Sequence, residues 1–178
     1  MNIFYLSEHA QIAARMQCDQ HVVKMTLESA QMLCTAINVC GGESPYKTTH
    51  LNHPCSIWAR HNYDNFMWLK RHALELAYEY TRRFGKVHKS QAVIEHCAIE
   101  VERVRALFGR GPGNTLRFGP TEGRTKPPLC MPDKYKTDDH VQSYRAYYLG
   151  EKRSFARWSK TREAPRWWQD QLIHIYSQ

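Results

Sequence analysis

Apolar positions recur at helical spacing along most of the chain, and one segment stands apart. Between Asp19 and Val39, Val22, Val23, Met25, Leu27, Ala30, Met32, Leu33, Cys34, Ala36 and Ile37 occupy most of a helix's circumference. A helix apolar on nearly every side is a buried one. Through it runs a single polar stripe of His21, Lys24, Glu28, Gln31 and Thr35, whose alternating intervals of three and four place them on one narrow face. A carboxylate and an ammonium without partners are costly in a core, so the stripe must face a cleft, a partner or water. A solvated stripe with Lys24 and Glu28 as an ordinary pair would show the same spacing; its narrowness favours a cleft. In a cleft, Glu28 is a candidate general acid or base.

The remaining pattern predicts further helices. Residues 2–6 read as a short extended N-terminal segment, and Ser7 can cap a short helix through about Met16. Gly41-Gly42 stop the striped helix. A loop follows to His53, and Pro54 suits the first turn of a long helix reaching Gly85, with a break expected near Asn62 to Asn65. Ser90 can cap a helix ending at Gly109, with Ile94, Cys97, Val101, Val104 and Phe108 along one side. Residues 109–136 form a basic, Gly- and Pro-rich loop, and Asp138 can cap a last helix carrying Val141, Tyr144, Tyr148, Phe155 and Trp158. The fold class is therefore all-α: an irregular helical bundle with long connecting loops, organised as a single domain over residues 1–178 whose part 137–178 is basic and aromatic.

Charge narrows the partner. Among 178 residues, 25 are Lys or Arg against 17 Asp or Glu, a formal net charge of +8, which favours an anionic partner and nucleic acid above all. From Val141 to Trp168 basic residues alternate with Tyr, Phe and Trp, and Arg117, Arg124 and Lys126 add to them in the preceding loop. Basic groups bind phosphates and exposed aromatics stack on bases, so Arg166 and Trp168 join these as candidate contacts. Helical spacing assigns Tyr144, Tyr148, Phe155 and Trp158 to a buried face, whereas the adjacent Trp167 and Trp168 should not both face a core. Lys47, His50 and His53 make a second polar segment suited to phosphate or a base. Cys18, His21, His50 and His53 have spacing permissive for zinc, with Cys55 to spare, but no metal or cofactor is expected to be required. No signal peptide or apolar run of membrane-spanning length is visible, so a cytoplasmic protein with thiol cysteines is expected.

The run Cys-Asp-Gln-His-Val-Val-Lys-Met-Thr-Leu-Glu at 18–28 resembles the first helix of the phage pyrimidine-dimer DNA glycosylase (endonuclease V) family and its bacterial relatives. The segment from Asn62 to Gly85, Met131-Pro-Asp-Lys-Tyr135 and Arg166-Trp-Trp168 are similar to that family's long second helix and aromatic tail. The resemblance implies base flipping and removal of a damaged pyrimidine. The attacking group is an N-terminal α-amine, which titrates near about 8 and forms an imine with the sugar. It implies an acid/base role for Glu28 and a place for His21 in the same cleft; Lys24 and Gln31, on the same helix face as Glu28, are candidate substrate or DNA contacts. Two departures stand out. Met1 precedes Asn2 and is normally retained, so the amine is that of Met1. Leu27 and Gln31 occupy positions where the family carries arginines.

Three functions remain open on the sequence: a base-flipping DNA glycosylase with or without lyase activity, a base-modifying enzyme on the same scaffold, and a non-enzymatic nucleic-acid-binding protein. The expected partner is DNA, double-stranded rather than single-stranded, and the expected state a monomer.

Overall fold

The computed structural model describes residues 1–108 and 123–170, and there the fold is all-helical, without a strand. Six α-helices follow one another: α1 (Ala10–Arg15), α2 (Asp19–Val39), α3 (Pro54–His61), α4 (Tyr63–Phe84), α5 (Gln91–Val104) and α6 (His140–Glu151). Single 3-10 turns lie at Arg105–Leu107 and Asp133–Tyr135, and residues 166–170 are again helical. Among the described residues, no helix is long and apolar enough to cross a membrane.

Local chemistry sets most boundaries. Beyond Val39 the chain turns through Gly41 at φ +83°, and the amides of Gly41 and Gly42 return to the carbonyls of Asn38 and Ile37. Pro54 opens α3, where its missing N–H is not needed. Asn62 divides α3 from α4: it is extended, and its side-chain oxygen accepts from the Asn65 amide at 2.7 Å. Gly85, left-handed at φ +67°, ends α4. Three caps differ from expectation. Ser7 does not cap α1, which starts after His9 without a side-chain cap. Ser90 is itself helical in conformation, and its hydroxyl meets Tyr46 instead. Asp139 rather than Asp138 caps α6, accepting from Gln142 N–H.

The core sits where α2 meets α3, α4 and α5, with α1 against α4. Ile3, Phe4, Tyr5 and Leu6 are also buried in it, so the N-terminal segment is threaded through the interior rather than lying on it. Tyr144 and Tyr148 of α6 close over that segment, Tyr148 packing edge-on against Phe4. Helix α2 is less enclosed than its composition suggests, because Val23 and Leu27 are exposed. A charged cluster joins the remaining parts. The Arg83 guanidinium is bound by Glu79 and Asp19 and donates to the carbonyls of Arg15 and Gln17. Arg162 forks onto the same Glu79 carboxylate, and Asp19 accepts from Ser159.

Trp168 corrects the reading of the C-terminal aromatics. It is buried against Tyr148, Trp158 and Trp167. Trp167 also packs on Tyr148 and carries Arg145 above its other contacts. Two neighbouring tryptophans both pack inward here because residues 157–168 fold back over α6, offering apolar surface to both sides of the dipeptide.

Candidate active site

The polar stripe of α2 splits along its length. Thr35 is buried and bonds both ways to Thr49, its hydroxyl donating to the carbonyl and accepting from the amide. That end of the stripe clips the loop to the helix. Gln31 is half-buried. His21, Lys24 and Glu28 instead line a cleft of about 390 Å³ together with Met1, Asn2, Phe4, Gln20, Met25, Tyr147, Lys152 and Phe155. This volume falls within the roughly 300–1,000 Å³ usual for small-molecule sites.

Glu28 sits at the meeting point of three groups. Its Oε2 accepts from the Asn2 amide at 3.0 Å and lies 3.7 Å from the Met1 α-amine. Its Oε1 lies 3.7 Å from Lys24 Nζ. The Met1 side chain is 1% exposed while the residue as a whole is only half-buried, so the surface Met1 shows is main chain. The amine is held in place by its neighbour. Asn2 Oδ1 accepts from the amides of Ile3 and Phe4, and Asn2 Nδ2 donates to the Cys130 carbonyl at 2.9 Å. Phe4 then takes φ +53°, a left-handed conformation that a non-glycine residue adopts at a cost of order 1 kcal/mol or more. The turn aims the Phe4 ring at His21, where the two stack with centroids 4.3 Å apart.

His21 shares the cleft with Glu28. Its Nδ1 is 2.6 Å from the Tyr148 hydroxyl. Burial, followed by the charges of Lys152 and Lys24, pushes its imidazole down to about 3. As a neutral ring it stacks on Phe4 and sets its Nδ1 against the Tyr148 hydroxyl. On the opposite wall, Lys152 Nζ lies above the Tyr147 ring at 4.5 Å and donates to its hydroxyl. A second cavity of about 300 Å³ shares Gln20 with the first and is lined by Arg157 and Lys160. Lys24 and Lys152 thus line the first cavity, and Arg157 and Lys160, with Asp19, the second.

The other expected contacts divide differently. Arg124 donates to the Tyr5 hydroxyl at 2.8 Å. Lys126 donates to the Asp138 carbonyl and lines a separate cavity beside Glu8, Asp138 and Asp139. Neither belongs to the Glu28 cleft, because the chain at 124–126 is anchored by Thr125 to Asn65. Arg166, Lys47 and His50 are exposed and do not line it, and Trp168 is a core residue. Arg117 lies outside the described residues. The zinc set dissolves as well: Cys18 and His21 both attach to Tyr148, whereas His53 caps α3 and stands with Cys55 and Cys130. Burial, the Met1 ammonium and His50 lower the His53 imidazole, with Glu28 opposing them, which puts His53 on the Glu28 side of the molecule. Lys152, Tyr147, Phe155, Asn2 and Phe4 are site residues that sequence reasoning did not single out. The first three carried a signal, as part of the basic aromatic segment.

Comparison with protein families, curated proteins and solved structures finds no match to this chain.

Proposed function

We propose that this protein is a base-flipping enzyme acting on a pyrimidine nucleotide in DNA, with the Met1 amine as nucleophile and Glu28 as the acid/base group. The observation that carries this reading is the pairing of an α-amine with a carboxylate at 3.7 Å inside an aromatic-walled, cation-rimmed cleft. An α-amine loses its proton far more readily than a lysine does, and a carboxylate beside it is placed to accept that proton. The amine nitrogen then attacks C1′ of the sugar, and the base departs with the bonding electrons and takes up a proton. The furanose opens at O4′, which Glu28 protonates, leaving an imine on Met1. This is the chemistry of the glycosylase family that residues 18–28 resemble. Tyr147 and Phe155, half-buried in the cleft wall, offer aromatic surface for a flipped base. Lys24, Lys152, Arg157 and Lys160 suit the phosphates.

Borohydride trapping on duplex DNA containing an abasic site tests the nucleophile directly. The expected result is a covalent protein–DNA adduct, formed only with reductant and mapped by mass spectrometry to Met1. An adduct on a lysine, or none at all, rejects the amine as nucleophile. Nucleoside mass spectrometry of DNAs bearing varied modified bases separates base removal from base modification.

A further inference from the structure

We propose that His53, Cys55 and Cys130 form a metal site that takes zinc. Their ligand atoms all lie within 4.8 Å of one another, and no other group of three or more His, Cys, Asp or Glu with such spacing occurs among the described residues. The two sulfurs are 3.4 Å apart. Two Zn–S bonds of about 2.3 Å at a tetrahedral angle set sulfurs roughly 3.8 Å apart, so an ion enters with a shift of a few tenths of an ångström. Two thiolates and an imidazole are a donor set that zinc favours, and three protein ligands leave a fourth position.

The surroundings are built rather than incidental. His53 and Cys55 are fixed by the start of α3. Cys130 is fixed from both sides: its carbonyl accepts from Asn2 and its amide donates to the Tyr144 hydroxyl, which in turn donates to Pro128. Cys55 is buried while His53 and Cys130 are half-buried, which leaves an entry path. The nearby Met1 ammonium would repel a bare dication, but two thiolates neutralise the ion's charge. The close pair Cys34 and Cys97, 3.5 Å apart, is an internal contrast: among the described residues no third His, Cys, Asp or Glu joins it, so it should bind nothing. An ion at the first site would join the start of α3 to the segment that holds Asn2, whether or not the Met1 amine forms an imine.

The test is cobalt titration of the full chain, reduced and freed of metal. The expected result is about one equivalent bound, with thiolate-to-cobalt charge-transfer bands and tetrahedral ligand-field bands that zinc abolishes. Cys130→Ser should lose these bands while keeping its circular dichroism, and Cys97→Ala should keep them. His53→Asn provides a second variant should Cys130→Ser fail to fold. The proposal is overturned if the fully reduced protein shows no bands in excess cobalt, if the bands survive in both Cys130→Ser and His53→Asn, or if they depend on Cys97.

Discussion

Glu28 on α2 and Glu79 on α4 are both ringed by cations, yet they are held in opposite ways. Glu79 has a fully buried side chain and accepts from both Arg83 and Arg162, with separations of 2.6 to 3.1 Å. Burial alone would raise its carboxyl, but the hydrogen bonds and charges of Arg162 and Arg83 outweigh that and hold it below the ordinary range. Glu28 accepts one short hydrogen bond, from Asn2, and keeps its ammonium partners at 3.7 Å. Guanidinium forks saturate a carboxylate. Ammoniums at longer range leave it lone pairs to use. The difference separates a carboxylate that ties the fold together from one left open to the cleft.

Breaking the first should cost the most. Glu79→Ala removes the carboxylate that Arg162 forks onto and leaves the wholly buried Arg83 with Asp19 as its remaining counter-ion, and should destabilise the protein by about 3 kcal/mol. Urea denaturation checks this, and a loss below about 1 kcal/mol would show that the cluster is not the tie described. Glu28→Gln should behave conversely. Its amide oxygen can still accept from Asn2, so stability should change by no more than about 1 kcal/mol. Formation of the trapped DNA adduct should slow by roughly a hundredfold or more, as loss of an acid/base group does. An undiminished rate in that variant would remove Glu28 from the chemistry.

The histidines sharpen the same contrast with a smaller effect. His21 lines the open cleft and His72 is sealed in the core, yet burial pushes both down to about 3. Their ordinary value is about 6.5, so the unfolded chain binds protons that the folded one refuses. Stability is whole above about pH 6.5, falls as pH drops below it, and stops falling on their account near 3. His72→Gln should flatten the decline between about pH 6 and 4.5 by roughly 1 kcal/mol per pH unit. Denaturant melts across that window measure it, and an unchanged slope would mean that His72 is protonated in the folded state.

Local signals were legible and long-range ones were not. The limits of α2 follow from its apolar run and Gly41, and the α3–α4 break from the poor helix propensity of Asn62 and its neighbours, because each depends on a few adjacent residues. The cleft end of the stripe was visible because a carboxylate among Val, Met and Leu needs a reason. The far wall was not. Tyr147, Lys152 and Phe155 face Glu28 only because Tyr148 of α6 bonds back to residues 18 and 21. Trp168 was misplaced for a related reason: spacing within one helix does not show that another segment folds across it.

The bonds from the N-terminal segment to distant parts of the sequence bear on when the cleft takes shape during synthesis. Asn2 bonds to Cys130, Cys18 to Tyr148 and Asp19 to Ser159, across 128, 130 and 140 residues. A ribosome adding about 5–20 residues per second releases the N-terminal segment many seconds before its partners exist. Through that interval Ile3, Phe4, Tyr5 and Leu6 have no interior to enter, and the amine and carboxylate have no enclosing wall. Contacts of such separation are also slow to form, since loop closure must come first. A nascent chain therefore lacks the complete cleft until the segment around Phe155 has emerged. The cleft, although it begins at the first residue, is among the last parts of the molecule to exist.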